Sequence, residues 1–182
     1  MSKEAANKAI VAEWFEKFWG NPADLSVVDK LGTPDILFQY PMHGPIRGRE
    51  NLKAMMAEMR EAFPDLNFWA VGDPIAEGDF VAARWDGGGT HTGPAFGALP
   101  LGSLPAATGK TIRFTGTTVF HIVDGKVKEE IGEEGALTAL QHRGLVPSKD
   151  RHNPEMRTRR ADSPDPGGHS HPFAGELSDR SK

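Results

Sequence analysis

Two adjacent glutamates, Glu133 and Glu134, end the last strand-like segment of the sequence, directly before Gly135. A carboxylate on the wall of an apolar pocket can act as a general base, because the loss of hydration raises its pKa toward neutral pH. Adjacent strand residues point to opposite faces, so only one of the two can look inward. The alternative is a solvated edge that both form with their charged neighbours, Lys126, Lys128, Glu129 and Glu130.

The turn in "DGKV" decides which glutamate shares a face with His121 on the preceding segment. A two-residue loop places Glu134 on the face of His121. A three-residue loop with Gly125 in the left-handed conformation places Glu133 there instead. The residues alone leave both registers open.

Tyr40 and His43 lie in "FQYPMHGP", at the predicted end of an early strand. A phenol and an imidazole at this point could orient a substrate carbonyl group. The alternative is an ordinary turn after the strand, with a surface histidine. Tyr40 is the only tyrosine in the chain.

Arg84 and Trp85 are neighbours on a strand-like segment, so one is expected to face the interior and the other solvent. An inward Trp85 is the ordinary arrangement. An inward Arg84 would need a partner, either Glu133 or an anionic group of a substrate. His91, in "GGGTHTGP", can serve either the structure of the strand edge or contact with a ligand.

Composition excludes several classes of function. With 21 basic and 25 acidic residues the net charge is −4, which disfavours binding to nucleic acid or to an anionic membrane surface. There is no cysteine, so thiolate chemistry and sulfur-ligated zinc are excluded. The sequence carries no phosphate-binding glycine loop, no HExxH motif, no signal peptide and no long apolar stretch, which predicts a cytoplasmic protein without a metal or cofactor.

The hydrophobic pattern predicts helices first and strands afterwards. Apolar residues at spacings of three and four predict a helix over residues 5–19, a short helix near residue 28 and a helix within residues 48–66 that ends near Phe63, before Pro64. Strand-like segments separated by turn signals follow. This order predicts an α+β domain over residues 1–147, and the proline-rich, weakly apolar residues 148–182 are predicted to form a disordered or loosely packed tail. The "HSH" sequence in that tail is a poor metal site, since it has two histidines and no further obvious ligand.

Three blocks of the sequence, "AFPDL", "GTHTG" and "DGKVKEE", occur in an order that resembles the SnoaL-like polyketide cyclase (ester cyclase) group of the NTF2-like superfamily. The resemblance covers roughly residues 5–146. It implies an NTF2-like cone, in which a curved antiparallel β-sheet wraps around N-terminal helices and a deep apolar pocket opens at one end.

The resemblance also implies a catalytic pair. In the cyclases a histidine near the end of the penultimate strand and an aspartate at the end of the last strand line the pocket. Here His121 falls at the histidine position, and Gly135 falls at the aspartate position. The acid–base group is therefore either lost or supplied by a neighbour, and because the resemblance favours the three-residue loop, we predict Glu133 as the base and His121 as its partner.

The implied pocket also needs an apolar lining. Large apolar residues of the helices and strands are core residues first, and those that reach a cavity would line it. The predicted lining and substrate-binding residues are Trp14, Phe18, Phe38, Met55, Met59, Trp69, Arg84, Trp85 and His91.

The function that follows is that of a cofactor-independent cyclase or isomerase, acting by general acid–base chemistry on a carbonyl-activated carbon acid of a small, hydrophobic, polyketide-like molecule. One alternative is a non-catalytic protein that binds such a molecule in the same cavity. Another is an epoxide hydrolase, whose Asp-Arg-Asp set is represented here only by Arg84. The resemblance also implies a homodimer.

Overall fold

The computed structural model describes residues 2–97, 105–143 and 146 of the 182-residue chain. The predicted tail at residues 148–182, with its "HSH" sequence, lies outside this part. The helices are α1 (Lys3–Trp14), which continues as a π-helical turn (Phe15–Trp19), α2 (Val27–Leu31), α3 (Arg49–Ala62) and α4 (Ala136–Arg143). The strands are β1 (Gly32–Tyr40), β2 (Gly44–Arg47), β3 (Asn67–Ala70), β4 (Ile75–Glu77), β5 (Phe80–Thr90), β6 (Thr111–Val123) and β7 (Lys126–Glu134).

Local signals explain where the main helices begin and end. The hydroxyl of Ser2 accepts the backbone N–H of Ala5 at 3.2 Å and caps the start of α1. Helix α3 starts after Gly48, whose φ of +84° suits glycine, and ends just before Pro64, as its sequence predicts. No helix in the described part of the chain is long and apolar enough to cross a membrane.

The strands form one curved, unclosed sheet in the order β2-β1-β7-β6-β5-β3, and β4 pairs with β5 beside that path. The α+β architecture agrees with the prediction, but the sheet is mixed because β1 and β7 run parallel. The predicted antiparallel pairing holds for the other strand pairs that the structure describes, and β1 with β7 is the exception. A hairpin connection forces neighbouring strands to run antiparallel, whereas β1 and β7 are joined through most of the domain and are free of that constraint.

Each central strand has a buried face and an exposed face. On β5, Val81, Ala83 and Trp85 are buried, while Phe80 and Arg84 are exposed. We call the buried side, which packs against the helices, the inner face of the sheet, and the other side the outer face. The core includes aromatic residues of α1 and the π turn, methionines of α3 and the inner-face residues of the strands.

The hairpin between β6 and β7 combines features of both predicted registers. Its loop is the two-residue form, since Val123 pairs with Lys126. A bulge follows at Lys128, because Ile122 pairs with Val127 but His121 pairs with Glu129. The extra residue exchanges the two faces of β7 beyond the bulge.

Candidate functional site

A pocket lies among the helices and the inner face of the sheet, and its free volume is about 10 Å³, room for roughly one water molecule. Seven of its nine lining residues are aromatic or methionine, namely Phe15, Trp19, Tyr40, Met59, Phe68, Trp85 and Phe114. The other two are His43 and Glu134. A carboxylate and an imidazole therefore share an otherwise apolar wall.

The aromatic lining forms a chain of edge-to-face contacts. The ring of Phe68 lies 5.3 Å from the ring of Trp19 and 5.4 Å from that of Trp85, and Trp85 lies 5.7 Å from Phe114. Such perpendicular pairs are a favourable arrangement of aromatic rings. The rings pack so closely that the space between them is narrow, and a ligand larger than a few atoms requires the walls to move apart.

The backbone positions both polar groups of the pocket. The N–H of Met42 donates to Oε1 of Glu134 at 2.7 Å, which holds this carboxylate against the turn between β1 and β2. In the same turn the N–H of His43 donates to the carbonyl of Tyr40 at 3.1 Å. The end of β7 and the β1–β2 turn thus bring a candidate base and a candidate hydrogen-bonding group to one pocket.

A second carboxylate, Glu130, is fully buried on the inner face of β7. Its Oε1 accepts the indole N–H of Trp19 at 2.8 Å and the hydroxyl of Tyr40 at 2.8 Å, and its Oε2 accepts the indole N–H of Trp14 at 2.9 Å. Burial raises the pKa of Glu130 to about 7, and the three donors oppose that rise because they stabilise the charged form.

The network extends from Glu130 across the sheet. The hydroxyls of Tyr40 and Thr118 lie 2.7 Å apart, and the indole N–H of Trp85 donates to Oγ1 of Thr118 at 2.9 Å. The pKa of Tyr40 is raised well above its ordinary value, first by burial and then by the nearby charge of Glu130. Since the hydroxyl proton of Tyr40 is donated to Glu130, it is not directed at a carbonyl group in the pocket.

The π-helical turn after α1 explains how two tryptophans reach one carboxylate. Trp14 and Trp19 are five residues apart, and in an α-helix such residues point about 140° away from each other. The wider π turn places residues i and i+5 on the same side of the helix. Arg60 of α3 holds the end of this turn by donating to the carbonyls of Phe18 and Gly20 at 2.6 and 3.0 Å.

Two inner-face glycines make room for the rings of the network. A Cβ atom on Gly132 would lie 2.1 Å from Cε1 of Tyr40, and one on Gly116 would lie 2.2 Å from Cζ2 of Trp85. Each ring therefore lies directly over a strand, which lets the Tyr40 hydroxyl and the Trp85 indole converge on Thr118.

The predicted catalytic pair lies on the outer face of the sheet, away from the pocket. Glu133 is exposed, and His121 stacks on the exposed ring of Phe80, with its Nδ1 3.5 Å from Oε2 of Glu129. The predicted inward orientation of Glu133 is wrong, because His121 lies on the outer face of β6 and the bulge at Lys128 places Glu133 on that same face. Glu134 takes the inward position.

Of the other predicted residues, Tyr40, His43, Met59 and Trp85 line the pocket. Trp14, Phe18 and Phe38 are fully buried in the core rather than in the pocket lining, and Met55 packs against the core from a partly buried position. The orienting role predicted for the Tyr40 hydroxyl is not supported, since that group is engaged by Glu130 and Thr118.

Three predicted binding residues lie elsewhere. Trp69 is 42% exposed and lies under the guanidinium of Arg113, 5.6 Å from the ring centre, and Arg84 is exposed on the outer face of β5. His91 is buried, and its Nε2 donates to the carbonyl of Pro94 at 2.8 Å while its Nδ1 accepts the hydroxyl of Thr108 at 2.9 Å. His91 thus serves the structure of the segment that follows β5, the first of the two roles its sequence allows.

Sequence reasoning did not assign five of the lining residues or the buried carboxylate to the site: Phe15, Trp19, Phe68, Phe114, Glu134 and Glu130. One signal in the sequence points to Glu130. A buried indole N–H requires an acceptor, so inward tryptophans imply a buried polar group.

Comparison with known proteins places this site in a family. The family model described as SnoaL-like polyketide cyclase matches residues 9–142. The fold is similar to that of a candidate SnoaL-like polyketide cyclase from Jannaschia sp. CCS1, with 24% identity over 81% of this chain and 98% of that chain and a TM-score of 0.66. No curated protein sequence matches the chain.

Two Streptomyces structures have the same fold. AclR, a candidate hydroxylase from Streptomyces galilaeus, is 26% identical over 87% of this chain and 91% of its own, with a TM-score of 0.65. IdmH, a candidate polyketide cyclase from Streptomyces antibioticus, is 25% identical over 79% of this chain and 99% of its own, with a TM-score of 0.56. One fold thus carries proteins described by different chemistries, and the function must be argued from the site.

Proposed function

Because the chain belongs to the SnoaL-like polyketide cyclase family, we propose that it is a cyclase or isomerase that moves a proton at a carbon next to a carbonyl group. The observation that carries this proposal is the presence of Glu134 and His43 on one wall of an otherwise apolar, aromatic pocket. The substrate class is a small hydrophobic, polyketide-like carbonyl compound, which matches the lining. The proposed chemistry needs no cofactor.

In the proposed reaction Glu134 is the general base. Its carboxylate removes a proton from the carbon next to a carbonyl, and the C–H electron pair moves into the enolate. His43 donates a hydrogen bond to the enolate oxygen, where the negative charge develops. Ring closure follows when the enolate carbon attacks a second carbonyl group of the same molecule, and the proton held by Glu134 passes to the new alkoxide.

Glu134 replaces Glu133 in this role for a structural reason. Glu134 lines the pocket and is held by the N–H of Met42, whereas Glu133 is exposed on the outer face. Gly135, which the resemblance puts at the position of the family's aspartate, follows Glu134 directly and brings no side chain. A carboxylate one residue earlier is therefore the available base at the end of β7.

The test follows hydrogen–deuterium exchange at the carbon acid of a bicyclic ketone, 2-tetralone, in D₂O by proton NMR. We expect the protein to accelerate exchange and the Glu134→Gln variant to lose about 100-fold or more of that acceleration, the usual contribution of a general base. The matched control is Glu133→Gln, which changes the adjacent glutamate on the other face and is expected to keep the activity.

Two results would contradict the proposal. Equal rates for wild type and Glu134→Gln would exclude Glu134 as the base. Binding of 2-tetralone to the wild type, seen as broadening of its resonances, without accelerated exchange would favour the alternative of a non-catalytic binding protein. The epoxide hydrolase alternative has no support in the site, because Arg84 lies on the outer face.

A further inference from the structure

Glu130 is a buried titratable group that the proposed reaction does not use. It holds two lining residues of the pocket directly, since its carboxylate accepts hydrogen bonds from Trp19 and Tyr40. A third lining residue, Trp85, is linked to Glu130 by hydrogen bonds through Thr118 and Tyr40. Three of the nine lining residues thus depend on one hydrogen-bonded chain that starts at Glu130.

The donors in this chain differ in what they can do when Glu130 gains a proton. An indole N–H group only donates hydrogen bonds, so the tryptophans cannot accept a hydrogen bond from a protonated carboxyl group. A hydroxyl both donates and accepts, so Tyr40 can turn to accept from Glu130 and donate to Thr118. In the ionised state both hydrogen bonds run in the opposite direction: Tyr40 donates to Glu130, and Thr118 donates to Tyr40.

We propose that Glu130 is a positioning residue of the pocket, and that its protonation reverses the hydrogen-bond chain through Tyr40 and Thr118 and so changes the hydrogen bond that holds Trp85. In the ionised state Thr118 accepts only from Trp85. In the protonated state it accepts from both Tyr40 and Trp85 and no longer donates its own proton to Tyr40, which weakens the bond that it accepts from Trp85. This inference rests on the proposed function only in that the three lining residues belong to the same pocket.

The titration of Glu130 must be distinguished from that of other ionisable groups near these hydrogen bonds. Tyr40 of β1 stays neutral across the neutral range because its pKa is raised. Glu134 of β7 and His43 of the β1–β2 turn line the same pocket, and Arg60 of α3 holds the end of the π turn. Of these, only Glu134 and His43 require control variants, since the guanidinium of Arg60 keeps its proton throughout this range.

The test needs no substrate, so its result is independent of the proposed reaction. We would record indole N–H resonances in ¹H–¹⁵N spectra of the full chain from pH 5 to 9. The chain has four tryptophans, and three of them donate into the network, so Trp69 is the internal reference. We expect Trp14, Trp19 and Trp85 to shift with one common midpoint that Trp69 does not share.

Variants assign that midpoint. Glu130→Gln is expected to abolish the titration of all three indoles. Glu129→Gln, a change at its partly exposed neighbour, and the pocket variants Glu134→Gln and His43→Gln are expected to keep it. Tyr40→Phe removes the hydroxyl that links Glu130 to Thr118. The indole resonances of Trp14 and Trp19 should then still shift with pH, while that of Trp85 should not.

A Trp85 resonance that does not titrate in the wild type would overturn the inference, as would a Trp85 that still titrates in Tyr40→Phe. Should Glu130→Gln fail to fold, the wild type and Tyr40→Phe spectra decide the matter between them. A purely structural Glu130 would leave Trp85 unmoved by pH.

Discussion

Glu130 gives the domain a pH-dependent stability that can be isolated by one substitution. Its pKa rises from 4.5 in an exposed carboxyl group to about 7 in the folded protein, mainly because of burial. The folded state therefore binds this proton more tightly than the unfolded state, so the stabilisation is complete below pH 4.5 and is lost as pH rises to about 7.

We expect the free energy of unfolding of the wild type to fall by about 2–3 kcal/mol between pH 5 and pH 8, relative to Glu130→Gln, since each pH unit of pKa difference amounts to about 1.4 kcal/mol. Urea unfolding at several pH values measures it. Glu129→Gln is the control and should follow the wild type. Parallel curves for the wild type and Glu130→Gln would show that Glu130 does not titrate in the folded state within this range.

The sequence could not identify this residue by its charge alone. Glu130 stands in "KVKEE", where a run of charges normally indicates a solvated edge, and Glu129 next to it is indeed partly exposed. What distinguishes Glu130 is non-local: two indoles from the first helical segment and one phenol from β1 supply its donors. The aromatic face of the helix follows from the periodicity of its sequence, but the acceptor that its N–H groups require lies on a distant strand that no local pattern identifies.

At the scale of elements, the contact between β1 and β7 depends on the absence of a side chain at Gly132. Because a Cβ atom there would lie 2.1 Å from the ring of Tyr40, Gly132→Ala must displace the ring or the strand. Overpacking of this kind costs about 1–3 kcal/mol. We expect a loss of that size in urea unfolding, together with a changed environment of the Trp85 indole, which Tyr40 reaches through Thr118.

A matched glycine shows whether the effect is specific. Gly97 is exposed and has open space at its Cβ position, so Gly97→Ala should change the stability by no more than about 0.5 kcal/mol. If Gly132→Ala were as stable as Gly97→Ala, the close approach of Tyr40 to β7 would not be a constraint on the fold.

The orientation of the predicted catalytic pair, Glu133 and His121, is also decided at the scale of elements. The two-residue loop Asp124-Gly125 was one of the two predicted forms, and the pairing beyond the bulge is that of the other form. His121 and Glu133 therefore share a face as predicted, but the buried residues of β6 are Phe120 and Ile122 on either side of His121, so the shared face is the outer one. The elements could be predicted, whereas the face of β7 that carries the base required the structure.

At the scale of the whole molecule, the positions of the first three helices and the α+β order followed from periodicity, and the resemblance supplied the family, whereas α4 was not predicted. The parallel pairing of β1 with β7 did not follow, because no local pattern marks which distant strands meet. The cytoplasmic location and the homodimer stay predictions. For the homodimer, the outer face of the sheet offers a surface that can be tested.

That surface crosses adjacent strands. Phe80 of β5, Val119 of β6 and Ile131 of β7 are exposed there, and His121, Glu129 and Glu133 surround them. A second copy of the chain suits this surface, because a two-fold interface brings each residue opposite a partner on the same patch, so that the apolar side chains meet and His121 can face a glutamate of the other copy.

We therefore expect light scattering to give a mass of about twice the 19.8 kDa of one chain, and Val119→Asp to shift the protein toward the monomer by burying a charge in the interface. Val71→Asp is the control, since Val71 is 45% exposed, close to the 44% of Val119, but lies outside the patch. A wild type that stays monomeric at high concentration would contradict the homodimer. A dimer that survives Val119→Asp would place the interface elsewhere, and equal loss of the dimer in both variants would show that the effect is not specific to this patch.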